Sequence, residues 1–328
     1  MINWTSLRLQ VPMLRRCLST LTKSEARKKR NELFDSEAKR QRAAVGRIEK
    51  IEVKYSGPSD EITLVMNKHL STPFDCAKHI SEGVTKVAAL AEVNGTPWDM
   101  HRPFNSECEI KFVTMASPES QVVNKAFWRS CSLMMGAVAE TAFKDSISIH
   151  LHSFPIPNVR SGSFLHDISL GFEDWKPTVA ELQSLSALYI KLSQKNLPIE
   201  RLVVGESIAL EMFQDNPYKS EQIPNIARHS EDSVTLYRIG DHIDVSKGPM
   251  IGNTGIIGRC TVASVHKLST DEYGTLYRFQ GVALPAGILL NHFAYGILEE
   301  RARKLNNSVW VPSKIVEDSE DQIAAVAN

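Results

Sequence analysis

Apolar and polar positions recur with two different periods along the chain, and each period predicts a different kind of element. Between residues 62 and 114, the short stretches ITLVM, ALAEV and CEIKFVT run apolar or alternate, which predicts strands. Asn94-Gly95 follows the second stretch and is the strongest two-residue signal for a β-hairpin. Thr72 followed by Pro73 is the pair expected at the start of a helix. This part of the chain therefore predicts a small unit of mixed strands and helices.

The second half of the chain begins with a long helical pattern. At residues 122–143 the apolar side chains recur at helical spacing, so this helix is expected to have a buried face. Thr178 and Glu181 have the spacing of a capping box at the start of an amphipathic helix. Residues 262–284 predict two paired strands, and residues 291–305 predict a closing helix. We therefore expect an α+β fold with an antiparallel sheet.

Charge is unevenly distributed, although the formal net charge of the chain is zero. Residues 1–54 contain 14 Lys or Arg against 6 Asp or Glu. Residues 1–23 hold basic, Ser and Thr side chains and no acidic one, a composition typical of a mitochondrial targeting segment. Pro12 interrupts the apolar side of this segment, so an unstructured basic tail is the alternative.

A basic segment at residues 24–58 follows, and its few β-branched side chains favour a helix capped at Ser24. Because clustered cations neutralise phosphates and release their counterions, one interpretation is an arm that lies on RNA. The other is a solvated helix whose acidic side chains offset part of the charge, and the sequence leaves both open. The candidate RNA-contacting residues are Arg27, Lys28, Lys29, Arg30, Lys39, Arg40, Arg42 and Arg47.

Several classes of protein are disfavoured by composition and spacing. The 5 cysteines show no C-x-x-C pair, which argues against a disulfide framework or a zinc ribbon. No apolar run approaches the roughly 18 residues of a membrane span. His150 and His152 share one face of a predicted strand without a third ligand in view, so neither a metal site nor a cofactor is predicted. The glycines at residues 246–258 lack the Gly-Lys-Ser/Thr of a phosphate loop and are better explained as turn glycines.

Two stretches carry the candidate chemistry and, with it, a resemblance to a known family. FWRSCSLMMG begins at Phe127, and LYRIGDHIDVSKGPM begins at Leu236. With the strands and the Asn-Gly turn described above, they resemble the amino-terminal half of threonyl-tRNA synthetase. The resemblance implies a ubiquitin-like β-grasp module of the TGS type at residues 59–117, followed by an editing-like α+β domain at residues 118–308.

The reactive residues of the synthetase pattern are replaced in this chain. That pattern has two His four residues apart on the helix, and a Cys and a third His in the loop. Arg129, Leu133, Ser246 and Met250 occupy these positions here. A guanidinium has no acceptor, a leucine side chain has no polar atom, and neither a hydroxyl nor a thioether takes a proton near neutral pH. The sequence therefore predicts that the chain has no catalytic residues at these positions and is not an enzyme.

A closer resemblance covers nearly all of the chain after the targeting segment. The stretches NELFDSEAKRQR, MNKHLSTPFDCAKHISE, NKAFWRSC, GDHIDVSKGP and YRFQGVALP are similar to the family of mitochondrial large-ribosomal-subunit protein thirty-nine, a catalytically silent relative of the synthetase region. The resemblance implies a structural ribosomal protein of the mitochondrial matrix, bound to large-subunit rRNA and neighbouring ribosomal proteins. No cofactor, membrane or small-molecule substrate is implied. Residues 309–328 are expected to form an acidic, disordered tail.

Two other functions stay open from the sequence. A free-standing tRNA editing hydrolase or tRNA-binding regulator would need a base near Ser246. His242 and Asp244 alternate on a predicted strand, so their side chains face one way and could supply it. A purely protein-binding adaptor would instead need no contact with RNA.

Overall fold

The computed structural model describes residues 22–57, 61–117, 120–172, 174–270 and 273–310, and the predicted α+β fold is confirmed within them. The predicted targeting segment, apart from its last two residues, and residues 311–328 of the predicted acidic tail lie outside these ranges.

The first helix, α1 (Lys23–Ala44), begins two residues earlier than expected. Its N-cap is Thr22, whose hydroxyl oxygen accepts the backbone N–H of Glu25 at 3.3 Å, while the Glu25 carboxylate accepts the Thr22 N–H at 2.8 Å. The predicted cap at Ser24 is therefore wrong, because Glu25 stands three residues after Thr22 and completes a capping box there. The Ser24 hydroxyl donates instead to Asp145 at 2.6 Å.

After α1 the chain forms a mixed sheet with two short helices. Its elements are β1 (Lys50–Ser56), β2 (Glu61–Asn67), α2 (Pro73–Ile80), α3 (Glu82–Val87), β3 (Ala88–Val93), β4 (Thr96–Trp98) and β5 (Cys108–Thr114). The strands lie in the order β2-β1-β5-β3-β4, and β1 is parallel to β5 while the other neighbours are antiparallel. Thr72 caps α2, and Asn94 and Gly95 close the β3–β4 hairpin with positive φ angles, as predicted.

The boundary predicted between the basic segment and this module is wrong. It placed residues 50–56 in the basic segment, whereas β1 pairs with both β2 and β5 in the middle of the sheet. The reason is the alternation of Ile51, Val53 and Tyr55, whose side chains are buried in the core of the module. The module therefore begins at Lys50.

The larger domain begins with α4 (Ser120–Ala142) and continues through two antiparallel sheets. Its other elements are β6 (Ile149–Ser153), β7 (Phe164–Leu170), α5 (Val179–Ser193), β8 (Ile199–Gly205), α6 (Glu206–Met212), α7 (Pro217–Arg228), β9 (Ser233–Ile239), β10 (His242–Val245), β11 (Ile257–Thr270), β12 (Gly274–Pro285) and α8 (His292–Arg303). One sheet has the order β11-β12-β7-β6 and the other β10-β9-β8. The predicted antiparallel arrangement is confirmed.

The long helix α4 lies at the centre of the main apolar core. Phe127, Leu133 and Met134 are fully buried, each contributing about 1.5–3 kcal/mol by burial of apolar surface. The helix packs against β7 in one sheet and β10 in the other. Side chains of α4, β7 and β10 therefore meet in the interior, next to the positions predicted from the sequence.

Candidate functional site

α1 lies directly on the larger domain through side chains that point into it. Phe34 is buried in an apolar cluster with Leu202 and Leu236 of β8 and β9. Near one end of α1, the Lys23 ammonium donates to the Phe143 carbonyl at 2.7 Å. Near the other end, the Gln41 amide donates to a carbonyl of β8 at 2.7 Å. The helix is therefore part of the folded body along its length.

Arg30 is the most deeply buried of the predicted RNA-contacting residues. Its side chain is only 5% exposed, and its Nη2 donates to both carboxylate oxygens of Asp215 at 3.1 and 3.0 Å. Its Nε donates to the Met212 carbonyl at 3.2 Å, and its Nη1 lies 3.6 Å from the Glu140 carboxylate. The prediction that Arg30 contacts RNA is wrong, because the guanidinium is enclosed by partners within the protein.

The other cations of the predicted arm are more exposed, but several have acidic partners. The pairs are Lys28 with Glu32 at 4.0 Å, Lys29 with Glu211 at 3.9 Å and Arg40 with Glu37 at 2.6 Å. Lys39, Arg42 and Arg47 are exposed in the last turns of α1 and just beyond it. Exposed positive charge is therefore concentrated at the carboxyl end of α1.

The side chains at the four positions of the synthetase pattern make packing or hydrogen-bond contacts within the fold. Leu133 and Met250 are buried in the main apolar core. Arg129 Nη1 donates to the Pro249 carbonyl at 3.0 Å, which ties α4 to the loop after β10. The Ser246 hydroxyl oxygen accepts the Gly248 N–H at 3.4 Å within that loop.

The loop after β10 is held by a buried carboxylate from the β-grasp module. Asp99 accepts the Met250 backbone N–H at 2.8 Å and the Tyr237 hydroxyl at 3.0 Å. Burial raises the pKa of Asp99, against the opposing effect of these donors and of Arg201. Gly248 has a φ of 72° and lies against the Tyr237 ring, so a side chain there would collide with it.

A cluster of buried charges lies beside these positions, between α4, β7, α7 and β10. Lys219 Nζ lies 2.6 Å from Asp244 Oδ1, and His166 Nε2 lies 3.7 Å from Asp244 Oδ2. His242 Nδ1 donates to Glu140 Oε2 at 2.7 Å. We call these five residues, together with Arg30, the buried charge cluster. His242 and Asp244 lie in it together, as their alternation on one strand predicted.

Packing at Gly136 brings the two imidazoles of the cluster onto α4. A Cβ at this position would lie 2.8 Å from His166 Cε1 and 3.2 Å from His242 Cε1. His166 Nδ1 donates to the Ser132 carbonyl at 2.9 Å, so its hydrogen is on Nδ1 and its Nε2 is an acceptor. Only glycine allows both rings to approach the helix this closely.

Opposing effects set the ionisation of the cluster. Burial would raise the pKa of Glu140, but the charges of His242 and Arg30 outweigh it and lower the pKa to about 2. Burial also opposes ionisation of Asp244, yet Lys219 and His166 bring its pKa below the usual value. Burial lowers the pKa of His166 to about 4. At neutral pH the Glu140 and Asp244 carboxylates are therefore ionised, and His166 is neutral.

Metal binding and membrane insertion find no support in the part of the chain that the structure describes. Within it, no group of three or more His, Cys, Asp or Glu side chains is arranged to hold a metal ion. None of the helices in the described ranges combines the length and apolar character that a membrane span requires.

Comparison with known proteins supports the predicted TGS module and the predicted relation to threonyl-tRNA synthetase. A TGS domain model matches residues 64–114, which begin in β2 and end with β5. The mitochondrial threonine–tRNA ligase of Homo sapiens is 31% identical over 225 residues, which cover 67% of this chain and 29% of the ligase. The threonine–tRNA ligase of Thermotoga maritima is 31% identical over 218 residues, 63% of this chain and 31% of the ligase. The chain thus spans less than a third of the length of these ligases.

Similarity to a ribosomal protein extends over almost the whole chain. The large ribosomal subunit protein mL39 of Drosophila melanogaster is 50% identical over 304 residues, which cover 92% of this chain and 91% of that protein. The chain belongs to the mL39 family. The predictions of a mitochondrial large-ribosomal-subunit protein, related to threonyl-tRNA synthetase and carrying a TGS domain, are thereby confirmed.

In this mL39-family chain, sequence reasoning missed half of the buried charge cluster. Glu140, His166 and Lys219 lie on α4, β7 and α7, and no motif connects them along the sequence. Glu140 lies near the end of the apolar helix α4. A single acidic residue in an apolar helical pattern indicates a buried charge that needs a partner. His166 and Lys219 carry no such signal, because their partners come from strands and helices distant in sequence.

Proposed function

We propose that this mL39-family chain is a non-catalytic constituent of the mitochondrial large ribosomal subunit. It binds the subunit's rRNA and neighbouring ribosomal proteins in support of mitochondrial translation, and it uses no cofactor or small-molecule substrate. The observation that carries the proposal is the placement of Leu133 and Met250 in the apolar core, with Arg129 bonded to the Pro249 carbonyl. Hydrolysis needs an accessible general base within hydrogen-bond reach of a water, and these side chains supply none.

Contact with rRNA is assigned to the carboxyl end of α1. Lys39, Arg42 and Arg47 are exposed there, and α1 is fixed on the body by Phe34 and Arg30. A cationic surface on a fixed helix loses little conformational entropy when it binds phosphates. These three residues therefore replace the eight cations of the sequence prediction as the proposed RNA contact.

Sedimentation of the full chain on a gradient of mitochondrial lysate tests the proposal. We expect the chain to migrate with the large subunit, and the triple variant Lys39→Glu, Arg42→Glu, Arg47→Glu to move toward the light fractions as salt is raised. Its matched control is the charge reversal of Lys28, Lys29 and Arg40, which already have acidic partners. Migration of the unaltered chain only in light fractions would refute the ribosomal role, and equal behaviour of the two variants would refute the assigned RNA contact.

A tRNA editing hydrolase is the second candidate, and the buried charge cluster is the observation that favours it. His242, Asp244 and Lys219 are acid–base groups close to the positions of the synthetase pattern. Against it, His242 is buried and its Nδ1 is bonded to Glu140. Deacylation of serine-charged threonine tRNA decides: turnover that is lost in His242→Ala would establish the hydrolase, whereas turnover at background supports the non-catalytic role.

A further inference from the structure

β3 of the β-grasp module is buried on both of its faces. Ala88 and Ala91 pack with Ala77 of α2 inside the module, whereas Ala89 and Leu90 belong to the main apolar core around α4. A strand with one solvated face would alternate apolar and polar residues, but the first four residues of β3 are all apolar and buried. The larger domain therefore covers one face of the module's sheet at β3.

A second link is a short stretch of the loop after β10, in which successive residues bond in turn to the module and to α4. The Met250 N–H donates to Asp99 of the module at 2.8 Å, and the Ile251 N–H donates to Ser130 Oγ of α4 at 2.9 Å. The Gly252 N–H faces the module again and donates to a carbonyl of β3 at 2.9 Å. This alternation is that of an extended chain, whose neighbouring residues point to opposite sides, so one stretch joins two bodies.

Pro249 and Gly252 complete the stretch at its two ends. The Pro249 carbonyl accepts Arg129 Nη1 of α4 at 3.0 Å, and the Gly252 carbonyl accepts His101 Nε2 of the module at 2.8 Å. A Cβ added at Gly252 would lie 3.0 Å from Cγ of Met100, so a side chain there would press on the module. We call this stretch the module clamp, and it consists of Pro249, Met250, Ile251 and Gly252.

Asp99 is the buried acceptor of the module at this contact, and it is only 4% exposed. Its Oδ1 accepts the Met250 N–H and the Tyr237 hydroxyl, the latter at 3.0 Å, while Arg201 Nε lies 3.5 Å from its Oδ2. All three partners belong to the larger domain. Because a carboxylate buried without donors is costly, the module is held in the position in which these donors reach Asp99.

We propose that the module clamp locks the β-grasp module to the larger domain, so that the two move and unfold as one rigid body. The module is then a fixed part of the protein surface and not a mobile arm. Since α1 also lies on the larger domain, the exposed cations at its carboxyl end are held at a fixed distance from the module. The inference concerns contacts within the chain, so it does not depend on the proposed function.

Cutting the folded chain tests the lock. Sites for a specific protease are inserted at residues 46–48 and 116–117, in the connections on either side of the module. We expect the cut module to elute with the larger domain on gel filtration, because the module clamp and the shared core hold it without a covalent connection. Elution of the cut module by itself from the otherwise unaltered chain would overturn the proposal.

Two substitutions at the clamp sharpen this test. Asp99→Asn keeps the size of the side chain and removes its charge, so it should weaken retention of the cut module about tenfold or more. Its matched control is Glu52→Gln, on the exposed face of β1 in the same module, which should leave retention unchanged. Equal retention in the two variants would contradict the role assigned to Asp99.

Gly252→Ala leaves the sequence of the module unaltered, so it separates a loosened clamp from a misfolded module. Retention should fall about fivefold, because the added methyl group presses on Met100. The control is Gly296→Ala on α8, where no heavy atom lies within 4 Å of the added Cβ. Retention that is the same in these two variants would count against the clamp.

Hydrogen exchange in the uncut chain gives a second readout. The slowest amides of β1, in the module, and of β9, in the larger domain, should open with the same free energy in the unaltered chain. In Gly252→Ala those of β1 should exchange faster than those of β9. Faster exchange of β1 already in the unaltered chain would show that the module opens by itself, and the proposal would be lost.

Discussion

α1 and α8, the first and last helices of the described chain, depart from the usual division of apolar inside and polar outside in opposite ways. α1 directs the Arg30 guanidinium into the interior and keeps charged side chains outside, whereas α8 buries Tyr295 and leaves Phe293 in solvent. The inward charge of α1 has its partners within the chain, in Asp215 and Glu140. The outward apolar residues of α8 have no comparable partners in the described chain. The difference teaches that a charge directed into the interior needs partners within the fold, whereas apolar side chains on the surface are tolerated without them.

The largest expected effect is on the attachment of α1. Arg30→Ala removes the counter-charge of Glu140 and Asp215, and loss of one partner of a buried ion pair typically costs about 3–5 kcal/mol. Urea unfolding of the full chain measures the free energy of unfolding. Lys28→Ala is the matched control on the exposed side of the same helix, and it should leave the free energy of unfolding almost unchanged.

A small effect of Arg30→Ala, similar to that of Lys28→Ala, would contradict the view that buried charge holds α1 in place. Arg30→Lys separates charge from geometry. Lysine restores the positive charge but cannot reproduce the forked contact with Asp215, so it should recover only part of the loss.

The buried charge cluster should make stability depend on pH in a defined direction. The pKa of His166 is lowered to about 4 from the usual value near 6.5, so between these values the unfolded chain binds a proton that the folded chain does not. Stability therefore falls as pH decreases from 6.5 to 4, by on the order of a few kcal/mol. Burial likewise lowers the pKa of His152 to about 4, which acts in the same sense.

Urea unfolding at a series of pH values measures this dependence. His166→Phe should remove roughly half of the slope between pH 6.5 and 4, because only His152 then contributes a shift of this size. Below pH 4.5, protonation of Glu140, whose pKa is about 2, removes further stability. A pH profile that is flat from 6.5 to 4 in the unaltered chain would disprove the neutral, buried state of His166.

The exposed charge of α1 should appear in the salt dependence of RNA binding. Replacing Lys39, Arg42 and Arg47 by Gln should reduce the slope of log affinity against log salt by about 2–3, since each lost phosphate contact contributes about 0.7–0.9. The control replaces Lys28, Lys29 and Arg40 by Gln. A control slope that falls as much as the triple variant's would show that the charge is not concentrated at the carboxyl end of the helix.

The smallest expected effect is on the stability of α8. Phe293→Ser should change the free energy of unfolding by no more than about 0.5 kcal/mol, because the side chain is exposed and packs little within the chain. Tyr295→Phe, on the inner face, should cost about 1 kcal/mol through loss of the hydroxyl contact with Thr261 at 3.0 Å. A larger loss from Phe293→Ser than from Tyr295→Phe would mean that Phe293 packs within the fold and is not a solvent-exposed side chain.

Much of the local structure follows from short-range sequence signals. The Asn94-Gly95 hairpin, the Thr72 cap of α2 and the capping box at Thr178 all form where they were predicted. Each depends on residues within three positions of one another, so the chemistry of the turn or cap is already complete in the sequence. The cap of α1 was misplaced because Thr22 and Ser24 are both acceptable caps, and the position of Glu25 selects Thr22.

The side-chain chemistry of the candidate site could be predicted from the sequence, but the elements that pack around the site could not. The sequence alone indicated that Arg129, Leu133, Ser246 and Met250 could not move a proton, since this depends on side-chain chemistry and not on position. It could not indicate that α1 lies on the body, because Arg30 and Asp215 are 185 residues apart.

The sequence by itself determined the α+β fold, most of its caps and turns, its ribosomal family and the side-chain chemistry at Arg129, Leu133, Ser246 and Met250. Only the tertiary structure decided which side chains are enclosed and which face solvent: Arg30 is inside, and Lys39 and Phe293 are outside. The reason is physical. Helix propensity and capping depend on residues within one turn of each other. The partner of a buried guanidinium lies on an element that is distant in sequence, and the two come into contact only when the chain folds.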